Sequence, residues 1–528
     1  MATHDDIYRE LHGTLKRYWG YDSFRPVQEE IIRSVCDGRD TLALMPTGGG
    51  KSLTYQVPTM LREGLCIVVT PLIALMKDQV DRLRQLGINA VAIHSGITMR
   101  QIDIALDNCV YGDVKFLYVA PERLVTEAFR LRVERMRVSL IAVDEAHCIS
   151  QWGYDFRPSY LRIAELRERL PETPMLALTA SATPVVADDI MRQLRFAAPH
   201  ILRSSFARPN LSYAVRHDED KNEQLLRVLR NVAGSGIVYV RTRDGCEQLT
   251  EFLRDEGIRA TYYHGGLANA ERTIRQEEWL AGRSRIMVAT NAFGMGIDKA
   301  DVRFVVHYAM PDSLESYYQE AGRAGRDGLP SRCILLYSGT DVRTIRFFID
   351  KEMEADNGLP ADVKAEAARK AEERLKYMTF YSTTQKCLRR FMLNYFGEAA
   401  PEKCGNCSCC LFAEQNAQEV EQRAAAAKQR AAANSRRLSA RRAAAGGDLS
   451  EADEKLLAAL YALRKRLAAK QNLPAYMVFS DATLREMVQS KPLSMDEFLN
   501  ITGVGEKKAA RYGMAFLRSI EDMVGSRE

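Results

Sequence analysis

Short aliphatic runs that are apolar at every position, not at alternate ones, recur along this chain with helical patterns between them. Leu42–Met45, Ile67–Thr70, Phe116–Val119, Leu140–Val143 and Met175–Thr179 form a first series. After a break near Ser204–Pro209 a second series follows, with Ile237–Val240, Ile286–Ala289, Val302–His307 and Ile334–Tyr337. A strand without a polar face has to be covered on both sides. Intervening helices supply that cover, so each series predicts a parallel sheet of α/β type. Two series predict two such domains facing one another, over residues 1–207 and 208–341. At 528 residues the chain exceeds a single core, and roughly 150 residues per domain leaves room for one or two more.

The remainder changes character. Residues 342–412 are helical and charged and end in a crowd of cysteines. Residues 413–449 are rich in Ala, Gln, Arg and Glu, with almost no large apolar side chain. Such a stretch can form helix but buries no face, which predicts a partly helical linker. From 450 to 528 an apolar periodicity returns at Leu456, Leu457, Leu460, Leu463 and Leu467, predicting a small all-α domain. The opening MATHDDIYRE has no signal-peptide core, and no run approaches the ~18 apolar residues of a membrane span. The expectation is a soluble cytoplasmic protein without membrane contact, nucleoid-associated if its source is bacterial. A net charge of +5 is small for this length, so nucleic-acid binding has to come from local clusters of Arg and Lys.

MPTGGGKS at 45–52 lies between a strand and a helix. Its glycines let the backbone turn tightly, so that N–H groups across Thr47, Gly48, Gly49 and Gly50 and the helix N-terminus surround phosphate oxygens. Lys51 supplies a point charge to the β- and γ-phosphates, and Ser52 a hydroxyl to magnesium. Met45 stands where the general pattern has glycine. At a later strand end, Asp144 would hold magnesium through water and Glu145 would orient and deprotonate the attacking water. QEAGRAGR at 319–326 sets Gln319, Arg323 and Arg326 on one helical face. From the second domain such arginines can reach a γ-phosphate and stabilise a loose phosphoryl-transfer transition state. A solvated basic helix is the plain alternative.

The acidic pair opens DEAHCISQWGYDFRPSY (144–160), a segment carrying Gln151, Trp152, Tyr154, Phe156 and Arg157. Bases of single-stranded nucleic acid stack on such side chains whatever their sequence. Nucleotide chemistry and nucleic-acid contact therefore share one stiff segment, with ordinary aromatic packing as the bland alternative. Among the eleven cysteines, Cys36, Cys66, Cys109, Cys148, Cys246 and Cys333 are scattered singly, which fits a reducing compartment. Cys404, Cys407 and Cys410 follow a C-x2-C-x2-C spacing, with Cys387 upstream. Four thiolates form a closed structural zinc site; an iron–sulfur cluster is the alternative, and Cys409 is an additional thiol.

Taken in order, PTGGGKS, TPLIALMKDQ (70–79), DEAHCISQWGYDFRP, ALTASAT (177–183), VATNAFGMGIDKADVRFVVHY (288–308) and YYQEAGRAGRDG (317–328) resemble the RecQ family of superfamily 2 DNA helicases. The resemblance spans about 7–411 and resumes near 450. It implies two RecA-like domains, a zinc-binding module and magnesium-ATP hydrolysis coupled to 3′-to-5′ movement on single-stranded DNA, with duplex unwinding in repair and recombination. GYDSFRPVQ (20–28) matches the family's adenine motif, implying that Tyr21 and Arg25 sandwich the base while Gln28 bonds its edge. Arg326 would be the arginine finger and Arg323 a second phosphate contact. Gln151, Trp152, Phe156 and Arg157 would engage DNA, and Cys387, Cys404, Cys407 and Cys410 would hold the zinc. Departures are Ser181 for the usual Thr, Ala300 for Pro, and Tyr154 for His. The implied partners are single-stranded and partly duplex DNA, with single-strand-binding protein or repair factors.

Residues 451–523 resemble the helicase-and-RNase-D C-terminal (HRDC) domain through NLPAYMVFSDATL (472–484) and ITGVGEKKAARYG (501–513). That implies a single-strand contact at Tyr476, with packing as the equal alternative. The Gly503–Val504–Gly505 turn between helices is expected to offer exposed N–H groups to phosphate, with Lys507, Lys508 and Arg511 beside it. Relatives commonly carry a winged-helix domain after the zinc module, which would need on the order of 100 residues. The 413–449 linker has no room for it, so a weakened grip on duplex DNA is expected.

Overall fold

The computed structural model describes residues 4–217, 220–294, 299–355, 360–411, 450–470 and 475–524. The chain divides into two compact units, residues 1–417 and 418–528. In the first, two sheets absorb every uniformly apolar run. One sheet contains β1 (Thr41–Leu44), β2 (Leu65–Val69), β3 (Ala90–Ile93), β4 (Phe116–Val119), β5 (Val138–Val143), β6 (Met175–Thr179) and β7 (Ile201–Arg203), in the order β3-β4-β2-β5-β6-β1-β7. The other contains β8 (Leu211–His217), β9 (Ser235–Tyr239), β10 (Ala260–Tyr263), β11 (Ile286–Ala289), β12 (Val302–His307) and β13 (Ser331–Tyr337), in the order β10-β11-β9-β12-β13-β8. The pairings are parallel throughout.

Strand β2 shows why the runs are continuous. Leu65, Ile67 and Val69 enter the core on one side of the sheet, and Cys66 and Val68 the core on the other. Neither face meets water, so neither tolerates a polar residue. The strands that the apolar runs did not predict are β3, β7, β8 and β10, which are the four sheet edges. An edge strand has one unpaired flank and partial cover, and along β8 only Leu211 and Tyr213 are fully buried.

Because β5, β6 and β1 lie side by side and parallel, the loops at their carboxyl ends open along one edge, where open α/β sheets place ligands. After β13 the chain forms helices Gly339–Glu354, Ala361–Thr383 and Leu388–Tyr395 and then the cysteine cluster. One apolar core runs through both lobes into this module. At the junction Phe206 of the interlobe connector stacks on Phe396 at 4.8 Å, with Tyr318 5.1 Å from the same ring.

The second unit is all-α among its described residues, with helices Glu451–Lys470, Ala475–Val478, Asp481–Ser490, Met495–Leu499 and Met514–Val524. Phe479 sits at its centre, met edge-on by Phe498, Tyr512 and Phe516. Residues 413–449, read as a linker, lie outside the described residues. Among the described residues no helix is long and apolar enough to cross a membrane.

Candidate nucleotide cleft and nucleic-acid interface

Strand β1 ends at Leu44, and the chain turns through 45–52 into the helix Leu53–Leu61. Gly48 and Gly50 hold φ of +78° and +77°, a left-handed conformation that side chains resist. A Cβ would not fit at Gly50 and would be tight at Gly48. At Gly50 it would lie 2.4 Å from Nε2 of Gln28, and at Gly48 it would crowd Cγ of Arg326 at 3.2 Å. Gln28 is buried and donates to the carbonyls of Gly49 and Gly50, both at 3.1 Å, while accepting the N–H of Arg25. Its amide thus braces the phosphate loop here, and bonding an adenine edge would require it to exchange partners. Arg25 donates to the Gly48 carbonyl, and Tyr21 stands exposed at the mouth.

The loop opens on a cavity of about 520 Å³ that gathers groups from both lobes. Tyr21, Thr47, Gly48, Gly50, Lys51, Ser52, Asp144 and Glu145 line it from the first lobe, and Gln319, Arg323 and Arg326 from the second. Burial, then the charge of Glu145, pushes the Asp144 carboxyl up to about 6, with Lys51 opposing. Two neighbouring carboxyls repel, and a cation beside them relieves the repulsion. A half-buried carboxylate that shares the cavity with a serine hydroxyl is an oxygen donor set suited to a hard dication.

Glu145 adopts φ +48°, uncommon for a residue with a side chain. Its carboxylate lies 3.9 Å from Nζ of Lys51 and 3.4 Å from Nδ1 of His147, and Oε2 is buried without a hydrogen-bond partner. Across the cleft Arg323 donates to the Gly294 carbonyl, and Gln319 donates to Oγ of Ser181 at 3.3 Å.

The aromatic loop is tied to this chemistry. The buried His147 ring hydrogen-bonds Oγ1 of Thr179 at 2.9 Å and stacks on Tyr154, centroids 4.7 Å apart and planes within 16°. Burial lowers the His147 pKa, so the ring stays neutral. Tyr160 donates to the Asp144 carbonyl, and Ser150 to the Asp189 carboxylate. Arg157 pairs with Asp155, Gln151 is exposed and Phe156 half-buried. Trp152 is 41% exposed, and its ring is covered by Nζ of Lys370 at 3.9 Å, while Arg374 donates to the Gly153 carbonyl. Both cations come from the Ala361–Thr383 helix, far away in sequence, so spacing offered no sign of them. The His147–Tyr154 stack was equally unforeseen, although both residues lie in the segment singled out.

Cys387, Cys404, Cys407 and Cys410 bring their Sγ atoms within 4.8 Å of one another, with Cys387 and Cys407 3.9 Å apart. Zinc–sulfur bonds of about 2.3 Å give tetrahedral edges of about 3.8 Å, so the set fits zinc. The backbone N–H groups of Arg390 and Asn406 point at Cys387 and Cys404. Cys409 turns away toward the Thr384 carbonyl and takes no part in the cluster. In the second unit Gly503 has φ +92°, and the Val504 N–H donates to Ile501, which removes it from phosphate binding. Nζ of Lys508 lies 5.7 Å from the Phe479 ring centre. The side chains of Tyr476 and Lys507 lie outside the described residues.

The chain matches four family models: DEAD/DEAH box helicase over 25–190, helicase conserved C-terminal domain over 220–328, RecQ zinc-binding over 339–411 and HRDC domain over 453–520. It is 39% identical to the ATP-dependent DNA helicase RecQ of Bacillus subtilis, covering 96% of this chain and 98% of that one. With its namesake from Pasteurella multocida the identity is 35%, over 96% and 93%. Among solved structures, the Mycobacterium smegmatis helicase Lhr bound to ssDNA and AMP-PNP is similar in fold, with a TM-score of 0.50 at 19% identity over 70% of this chain and 57% of that one.

Proposed function

The chain belongs to the RecQ family of ATP-dependent DNA helicases, and on that premise we propose that it couples magnesium-ATP hydrolysis to 3′-to-5′ movement on single-stranded DNA. The observation that carries the hydrolysis is the cavity in which Lys51, Asp144 and Glu145 face Gln319, Arg323 and Arg326; the direction of movement rests on the family resemblance. Magnesium, held by Ser52 and Asp144, supplies positive charge to the β- and γ-phosphates. Lys51 holds the same phosphates, and Glu145 takes the proton of the attacking water. Arg326 and Arg323 meet the charge that develops on the equatorial oxygens as the bond to the leaving phosphate loosens. Tyr21 and Arg25 take the adenine between them.

Hydrolysis reports to the DNA through a short relay. Loss of the γ-phosphate releases Glu145 and Gln319. Glu145 neighbours His147, and His147 carries Tyr154 and the loop with Trp152. Trp152, Phe156, Gln151 and Arg157 then change their hold on a stacked base, while Thr179–Thr183 and residues 290–294 line the strand from the two lobes; residues 295–298 lie outside the described residues. Zinc, held by the four cysteines, orders the module that carries Lys370. DNA repair and recombination, in the cytoplasm, would be the setting, with single-strand-binding protein or repair factors as partners.

The alignment with the Bacillus relative runs to 586 positions, more than this chain's 528 residues, so the relative has residues that this chain lacks. That shortfall supports a second reading, in which the strand is tracked well but long duplexes are opened poorly. We place it between the zinc module and the HRDC domain, whose matches end at 411 and begin at 453. Unwinding of 3′-tailed and 5′-tailed duplexes of graded length tests both. Activity on 3′ tails alone, falling steeply with length, is expected. Equal use of 5′ tails would refute the polarity, and length-independent unwinding would refute the second reading.

A further inference from the structure

Arg208 lies in the connector between β7 and β8, in a stretch the sequence marks only as a break. Its guanidinium donates to four backbone carbonyls in the seam between the lobes. Nη1 reaches Thr47 of the phosphate loop at 3.1 Å and Gly322 at 3.2 Å, and Nη2 reaches Ala324 at 3.1 Å and Gly325 at 3.0 Å. Residues 322–325 form the turn on which Arg323 stands and from which Arg326 emerges. One planar fork therefore joins the loop that holds the phosphates to the turn that presents the arginines. Its fixed geometry suits that task as a flexible ammonium would not.

The connector is itself held from the zinc module. Arg389 donates to the carbonyls of Arg208 and Leu211, Asn406 to those of Pro209 and Leu211, and Glu398 accepts the Phe206 N–H at 2.7 Å. Asn210 adds bonds to Gly325 and Leu329. Three of its four acceptors lie in the second lobe and one in the first, so the fork bridges the arginine turn to the phosphate loop.

We propose that Arg208 is a positioning residue for ATP hydrolysis, setting the distance and angle at which Arg326 meets the γ-phosphate. The inference rests on the reading of Arg326 as the arginine finger. Misplacement of a reacting group by about 1 Å costs on the order of 100-fold in rate, and that is the loss expected in kcat for R208A with saturating single-stranded DNA. The KM for ATP should move by less than about three-fold, because ground-state binding does not use the finger.

The test compares R208A, R208K, R326A and the double variant R208A/R326A as full-length proteins, with zinc content and thermal unfolding measured alongside. A fluorescent ATP analogue reports ground-state binding, and ADP with aluminium fluoride reports binding of the transition-state charge. The proposal expects R208A to bind the first normally and the second poorly, and R208K to fall between R208A and the parent. The double variant should be no slower than R326A, because both substitutions remove one interaction. If R208A keeps kcat within about three-fold of the parent, or if the double variant loses the product of the two single losses, the proposal is wrong. Should R208A fail to fold, R208K is judged by the same criteria. R326A with near-parental turnover would overturn the finger reading itself, whereas an inactive R326A beside an active R208A would overturn only the role of Arg208.

Discussion

The nucleotide cleft and the aromatic loop occupy two ends of one segment, Asp144 to Arg157, yet they are built in opposite ways. At the first end the groups are held in place before any ligand arrives: Asp144 is half-buried with its carbonyl bonded by Tyr160, Glu145 is held in a left-handed backbone, and His147 is locked between Thr179 and Tyr154. At the second end Trp152 is half open to solvent, and one face is occupied by a cation from another module. Charge stabilisation gains from a preorganised site that does not rearrange during reaction. A sensor needs a surface whose partner can be exchanged. Under the proposed function, the difference lets one segment both catalyse and respond.

The largest effect that would sharpen this contrast is at the fixed end. Glu145→Ala should remove steady-state ATP hydrolysis with and without DNA, a loss of at least ~100-fold of the kind seen when a catalytic proton acceptor is deleted. Residual turnover still stimulated by DNA would break the assignment. At the responsive end, Trp152→Ala should leave basal hydrolysis within about two-fold while weakening single-strand binding by one lost stack, about 1–3 kcal/mol. Titrating ATPase against single-stranded DNA separates the two, and full stimulation at the parental DNA concentration would end the sensor role.

The smallest effect concerns the cation over the ring. A cation–π contact is worth about 0.5–1 kcal/mol at exposed sites and more where the cation is buried, as Lys370 is, so Lys370→Ala should free the Trp152 face and lower the DNA concentration for half-maximal stimulation by at least a few-fold. A rise instead would show that Lys370 serves DNA directly.

The chemistry that requires consecutive residues was the part legible in the sequence. MPTGGGKS, the acidic pair and the C-x2-C-x2-C cysteines declare themselves because phosphate cradles and tetrahedral thiolates need fixed short spacings. The inner strands were legible because both faces are dry, whereas β3, β7, β8 and β10 were not, since an edge has no uniform pattern to show. Gln28, expected to bond an adenine edge, has its amide engaged with the carbonyls of Gly49 and Gly50. Arg208 and Lys370 were invisible for a different reason. Each acts on a partner distant in sequence, one on backbone carbonyls and the other on a ring face, and neither interaction leaves a local motif.

The chain has three tryptophans, and the placement of Trp152 beneath an ammonium group gives them separate uses in spectroscopy. Trp19 lines the nucleotide cavity, and Trp279 is fully buried behind the second sheet with its N–H on the Gly236 carbonyl. Emission from Trp19 should follow nucleotide arrival, that from Trp152 should change when a base replaces Lys370, and Trp279 should stay constant until the lobe unfolds. The protein therefore carries an unlabelled clock, in which the order of nucleotide and strand arrival can be read from its own fluorescence.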